Sequence, residues 1–383
     1  MNLFLYLCKL STDKNYSKLF MKKLFCLFVL ALVYSVNLFS QQWLQDTAND
    51  RRDFDFVVNE IENSYAGFER KTVGEKFNEY NSLKDTLYKQ IHSGRRTGYD
   101  AACELVGFFE DFHLHCSGYF SDFFCYMKRN QGKTAVSLHN NTRFSYSQVT
   151  EKTFLINFPS CEYSQETFDF VKQSVEAYKN SKCENLIIDI RGNIGGGDKA
   201  WLPYIDLLAD KVGQVWALEW KNSKENRLYI DTAYRKYDSL WADETLRKMN
   251  ATKDEYVLIT KDSIEKVGFE NHQTLPLRAA LVIDNETASS AEQFILTVKA
   301  CSDKTVVYGR QGSKGCIDYS NLKIVYLPFS NYCLSVPMSR KVAPIQYDEK
   351  GLPYDKYIPP SDKEIKERDM DSEIYFVIKD LEK

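Results

Sequence analysis

Two stretches of this sequence combine residue types that serve chemistry at a carbonyl group. The run Leu186-Ile187-Ile188-Asp189-Ile190-Arg191-Gly192-Asn193-Ile194-Gly195-Gly196-Gly197 reads as a buried strand opening into a charged, glycine-rich loop. Glycines let backbone N–H groups converge on an anionic oxygen, because no side chain blocks the approach. The dinucleotide fingerprint G-x-G-x-x-G is not present, and a bare glycine turn is as often structural as functional. The second stretch, Leu281-Val282-Ile283-Asp284-Asn285-Glu286-Thr287-Ala288-Ser289-Ser290-Ala291-Glu292, puts small residues at a strand-to-helix corner. A hydroxyl there faces a helix N-terminus, whose dipole and unpaired N–H groups favour developing negative charge. A serine nucleophile and its oxyanion need that environment. The same residues also spell a capping box, with Ser289 as N-cap and Glu292 three residues on, and taken alone the cap is the better reading.

Two further residues could act as a base. His113, in Asp111-Phe112-His113, follows a helix end, and imidazole titrates near neutral pH without much tuning. A single histidine in such a place is more often a packing or capping residue. Lys314, in Ser313-Lys314-Gly315, lies 25 positions after Ser289. A lysine base must be neutral, so it would need burial, and read alone Lys314 is an exposed loop cation. His115 and Cys116 alternate beside His113 without a partner pair elsewhere, so neither a metal nor another cofactor is expected.

These residues need a scaffold. Residues 45–111 carry helical periodicity: Phe54, Val57, Val58, Ile61 and Tyr65 recur at three- and four-residue steps, as do Ala101, Ala102, Leu105, Val106 and Phe109. From about residue 133 short apolar runs alternate with helices, namely Thr153–Phe158, a helix over 165–180, Leu186–Ile190, a helix from 198, Ala279–Asp284 and a helix from 288. That alternation predicts an α/β fold with a mainly parallel sheet covered by helices. Residues 222–275 are polar and interrupted and read as an insertion, and residues 361–383 end in an amphipathic helix.

Composition narrows the function. The 383 residues hold 50 Lys+Arg against 53 Asp+Glu, with 44% hydrophobic and 27% charged residues. A mean hydropathy of −0.43 excludes a polytopic membrane protein. Balanced charge without a basic cluster argues against a nucleic-acid partner. The apolar run from Leu24 to Phe39 follows Met21-Lys22-Lys23 and precedes Ser40-Gln41-Gln42, the layout of a secretory signal over residues 1–40, with Met21 as a second start. This run of about 16 residues falls short of the roughly 20 that span a bilayer, so cleavage near Ser40 and a periplasmic or extracellular location are expected, with membrane contact only through an uncleaved signal. Removing that segment, which holds five lysines and one aspartate, leaves 343 residues with a formal charge of −7 and eight cysteines. In an oxidising compartment some of these would pair, although spacing does not say which.

Read in order, Asp111-Phe112-His113, the Asp189 to Gly197 loop, Thr287-Ala288-Ser289-Ser290-Ala291-Glu292, Gly309 to Asp318, and Gly351-Leu352-Pro353-Tyr354-Asp355 resemble the tail-specific (C-terminal-processing) serine peptidase family, its tricorn-like members included. The resemblance spans residues 105–360 and implies a core like that of the ClpP/crotonase fold and hydrolysis of peptide bonds in peptide or unfolded protein substrates; with the helical periodicity ahead of it, the chain divides into a helical unit over 41–112 and a peptidase core over 113–360. It implies Ser289, not Ser290, as nucleophile, with Gly195, Gly196 and the N–H of Ser290 forming the oxyanion hole. For the base it leaves two options: His113, oriented by an acid at Asp348, as in tricorn-like members, or Lys314, as in processing proteases. The chain departs from the family pattern at Phe112, where a small residue is usual, and at Ser313, where threonine is common. Only 40 residues separate His113 from Thr153, so a PDZ domain is not expected. The aromatic stretch Tyr119, Phe120, Phe123, Phe124 and Tyr126 reads as a buried hairpin or as the wall of a substrate groove. The reading that competes with a peptidase is a catalytically silent protein that binds peptides or other ligands on the same fold.

Overall fold

The computed structural model describes residues 46–117, 143–270, 275–343, 347–348, 350–360 and 371–383. The signal segment and the aromatic stretch at 119–126 lie outside the described residues.

The alternating pattern folds as expected. Strands β3 (Thr153–Asn157), β4 (Asn185–Asp189), β9 (Arg278–Ile283), β10 (Thr305–Gly309) and β13 (Lys356–Tyr357) run parallel in one six-stranded sheet, with β2 (Ser145–Gln148) antiparallel at its edge. The strand order is β13-β10-β9-β4-β3-β2. All five residues of β4 and the last five of β9 are buried, which is why both read as unbroken apolar runs: helices cover both faces. Side chains alternate between those faces. Leu186, Ile188, Leu281 and Ile283 pack with the helices Gln165–Ser181, Leu202–Leu208 and Ser290–Cys301, whereas Ile187, Ala280 and Val282 meet Ile374, Val377, Ile378 and Leu381 of the C-terminal helix Ser372–Leu381. Each such aliphatic side chain taken out of water contributes about 1.5–3 kcal/mol.

A second sheet is antiparallel and orders β1 (His115–Ser117), β12 (Cys333–Lys341), β6 (Leu218–Lys221) and β7 (Tyr256–Leu258), with β11 (Tyr319–Tyr326) also paired to β12. The N-terminal helices pack on it. Phe54, Ile61, Tyr65, Leu105 and Phe109 share one core with Cys116, Tyr319, Leu334 and Val336. A buried ion pair, Lys323 Nζ to Glu60 Oε2 at 2.7 Å, ties the first described helix to β11. Residues 222–270 form the helices Lys224–Thr232 and Ser239–Asn250 and the strands β7 and β8 (Ile264–Val267); the two helices pack against Trp220, Val257 and Met338 of the same sheet. Among the described residues no helix is long and apolar enough to cross a membrane.

Candidate active site

Parallel pairing of β4 with β9 brings the two small-residue loops together, because both strands end at the same edge of the sheet. Asp284 Oδ1 accepts N–H bonds from Gly192 (2.9 Å), Glu286 (3.0 Å) and Thr287 (3.0 Å). Thr287 Oγ1 donates to the carbonyl of Ile190 at 3.0 Å, and the N–H of Ala288 to that of Asn193 at 2.9 Å. Below this junction the fully buried Arg191 spans three carboxylates: Asp189 at 2.6 Å, Asp371 at 2.7 Å and Glu373 at 2.9 Å. The arginine of the motif therefore anchors the loop to the C-terminal helix. Removing it would leave buried carboxylates without their cation, a loss in the range of about 3–5 kcal/mol.

Ser289 stands where the corner turns into the helix Ser290–Cys301, with φ +56°. A side chain in this left-handed region costs roughly 1–2 kcal/mol, and such strain clusters at functional sites. Gly195 lies directly against it: a Cβ added there would stand 2.7 Å from Ser289 Cβ and 2.9 Å from the nitrogen of Ser290, at a φ of +97° that only glycine adopts readily. The two neighbouring serines have different surroundings. Ser289 is partly exposed, whereas Ser290 is buried, its hydroxyl donating to Asp198 Oδ1 at 2.6 Å and accepting from Trp201 Nε1 at 3.0 Å.

The N–H groups around Ser289 also divide. Gly195 donates to Asn193 Oδ1 at 2.9 Å, so it shapes the loop while its own donor is taken. Gly196, exposed at φ +140°, is held by a bridge to Cys161 that uses the Gly195 carbonyl and the Gly197 N–H. The Ser290 N–H is the first of its helix and has no intrahelical acceptor. Among the described residues, the N–H groups of Gly196 and Ser290, which flank Ser289, are not consumed by neighbouring loops.

Glu292, completely buried, joins the corner to the Gly309–Asp318 motif. Its carboxylate accepts from the N–H of Ser289 (2.9 Å), the hydroxyl of Ser313 (2.5 Å), and the N–H groups of Gly315 (2.8 Å) and Cys316 (3.0 Å). The capping box expected from the sequence is present, and its glutamate also organises the neighbouring loop. Leu352 donates back to Ser313 Oγ at 2.7 Å, which brings the Gly351 motif into the same network.

The histidine arrives from the other layer. Phe112 packs against Ala288 and Cys316, placing the Asp111–His113 segment beside the serine corner. His113 is buried, and its Nδ1 lies 2.6 Å from the carbonyl oxygen of Tyr319. A carbonyl only accepts, so Nδ1 carries the proton and Nε2 of the neutral ring keeps its lone pair. Asp111 accepts from the N–H of His113 at 2.9 Å and from the hydroxyl of Tyr65 at 2.7 Å. Lys314 lies near the same loop, but its ammonium sits 4.5 Å from the centroid of the Phe112 ring, a cation–π contact, while its backbone N–H donates to the carbonyl of Thr287 at 2.8 Å.

Asp348 lies behind this wall, its N–H donating to Asp318 Oδ2 at 2.8 Å and its carboxylate 3.0 Å from Lys71 Nζ. Burial, reinforced by the negative charge of Asp111, pushes its carboxyl up to about 8 against the opposing pull of Lys71. The hydrogen bond at His113 Nδ1 that an orienting acid would make is made by the Tyr319 carbonyl. A backbone carbonyl carries no residue-type signature, so sequence patterns hold no signal for it. The roles of Glu292 as a four-donor acceptor and of Tyr65 behind Asp111 were missed for a related reason: both depend on contacts between distant segments. Among the described residues no group of three or more His, Cys, Asp or Glu is placed to hold a metal ion.

The model of "Peptidase family S41" matches residues 152–347. No curated protein matches the chain in sequence. Among solved structures, mature CPAF is 10% identical with a TM-score of 0.57, the alignment covering 82% of this chain and 93% of that one. A candidate peptidase from Parabacteroides merdae is 12% identical with a TM-score of 0.52, covering 86% of this chain and 96% of that one. At such identities the likeness is one of fold, and the family match carries the assignment. The protein belongs to peptidase family S41, the serine peptidases that include the tail-specific processing enzymes.

Proposed function

We propose that this protein is an exported serine endopeptidase in which Ser289 attacks the scissile carbonyl. The observation that carries the reading is the contrast at the corner: Ser289 is partly exposed at a strained helix N-terminus against Gly195, while the hydroxyl of Ser290 is committed to Asp198 and Trp201. His113, with its proton held on Nδ1 by Tyr319, takes the Ser289 proton at Nε2 and returns it to the leaving amine. Lys314 is the alternative base, and its contact with Phe112 gives it a partner other than Ser289. Gly196 and Ser290 supply the N–H groups for the tetrahedral oxyanion, with Gly195 holding the loop in register against the serine. Asp348, buried behind the wall and held by Lys71 and the Asp318 carboxylate, supports the segment that carries the base rather than orienting the ring directly. Export rests on the signal-like residues 1–40. A fluorophosphonate probe tests the assignment of the nucleophile. One adduct is expected, on the peptide containing Ser289, lost in Ser289→Ala and retained in Ser290→Ala; a wild-type protein that takes no adduct would instead favour a silent binding protein.

A further inference from the structure

The described cysteines all carry free thiols, and one pair of them brackets the histidine loop. Cys103 lies in the helix Gly98–Gly107 and Cys116 in β1, with Asp111-Phe112-His113 between them. Cys103 Sγ is 3.7 Å from the carbonyl oxygen of Cys116, and both side chains enter the same apolar cluster with Leu105, Phe109 and Leu334. Strand register separates Cys333 from this pair. Cys116 stands opposite Leu334 and Ser117 opposite Cys333, so Cys116 and Cys333 project from opposite faces of the sheet. Cys161, Cys183 and Cys301 belong to the core of the parallel sheet, and Cys316 packs against Ala288 and Phe112.

We propose that Cys103 and Cys116 form a disulfide when the protein meets a small-molecule or protein disulfide oxidant, and that this bond clamps the segment carrying His113 to the second sheet. Cys103 is the half-buried member and the first to react. The hydrogen bond it shares with Cys116 pulls its thiol down, and the same bond with burial pushes the Cys116 thiol up. The Cys103 thiolate attacks one sulfur of the oxidant and expels a thiolate; Cys116 then attacks the Cys103 sulfur of the mixed disulfide, loses its proton and expels the second. Two protein thiols are oxidised and one oxidant disulfide is reduced to two thiols. The closed loop is short, so it restricts the unfolded chain and also limits how far the Asp111–His113 segment can move from Tyr319. The proposal does not depend on the peptidase reading, because thiol pairing can be read with no substrate present.

The test uses the full chain, purified reduced and then equilibrated with glutathione disulfide. Thiols are trapped by alkylation, and an unreduced digest is read by mass spectrometry. The expected product is a linked pair of peptides containing Cys103 and Cys116, with a melting temperature raised by about 4 °C over the reduced protein. Cys103→Ser should abolish both effects and Cys333→Ser neither. A Cys116–Cys333 link, a stable glutathione adduct on Cys103 alone, or full alkylation of Cys103 and Cys116 after oxidation would each overturn the proposal. The digest of the wild-type protein decides the matter even if Cys116→Ser does not fold.

Discussion

The serine corner and the histidine wall are built in different ways. Ser289, Gly195 and Gly196 sit on loops at the ends of two neighbouring parallel strands, joined by bonds among Asp284, Thr287, Gly192 and Asn193. His113 instead follows a helix of the other layer and is held by Tyr319 on β11, by Asp111 and by Phe112 packing across the boundary. The first half is local to one sheet, so its geometry survives as long as β4 and β9 pair. The second depends on how two layers dock, and Glu292 helps to join them, accepting from Ser289 on one side and from Gly315 and Cys316 of the loop before β11 on the other.

This difference can be broken experimentally, starting with the largest effect. Gly195→Ala places a methyl 2.7 Å from Ser289 Cβ at a φ that alanine resists; kcat/KM for a peptide substrate should fall by about 10²–10³, the scale of losing an oxyanion contact. Wild-type turnover in this variant would mean the corner is looser than described. Glu292→Ala strips four donors of their acceptor at once and should cost about 3 kcal/mol in urea unfolding. A loss below about 1 kcal/mol would show that the layers are held together elsewhere. Tyr65→Phe removes only the hydroxyl bond to Asp111 and should cost about 1 kcal/mol, with a larger effect on the rate of serine acylation than on the serine corner itself. Equal acylation rates would remove Tyr65 from the support of the wall.

A further test is one of pH. In the unfolded chain Asp348 titrates near 3.8 and in the folded protein at about 8, so the folded state holds a proton that the unfolded chain releases between these values. Its contribution to stability is therefore full below pH 4 and is lost as pH rises towards 8, the sign expected for a raised carboxyl. Asp348→Asn stays neutral throughout and should flatten that part of the stability profile. Denaturant midpoints at pH 5 and pH 8 measure it, and an unchanged slope would place the titration elsewhere.

How legible each half was follows from the same contrast. The parallel sheet announced itself through fully apolar strands at Leu186–Ile190 and Ala279–Asp284, and both boundaries fall within one residue of the observed strands. The glycine loop and the Thr287 to Glu292 corner were visible because each needs specific residue types at specific places. For the histidine wall only His113 and Asp111 left a trace. Tyr319 contributes a carbonyl, Tyr65 reads as one more apolar position of a helix, and Cys103 and Cys116 carry no spacing that marks them as neighbours. That the Gly195 N–H is already taken was likewise hidden, since only the position of the Asn193 side chain reveals it.

In the proposed mechanism a serine from the parallel sheet is activated by a histidine from the other layer. The most direct test is the rate of fluorophosphonate acylation at Ser289, followed by mass across pH 5–9 in wild type, His113→Ala and Lys314→Ala. The rate should fall about 10²–10⁴-fold in His113→Ala and stay nearly unchanged in Lys314→Ala. Fast acylation in His113→Ala together with its loss in Lys314→Ala would contradict this mechanism and assign the base to the lysine.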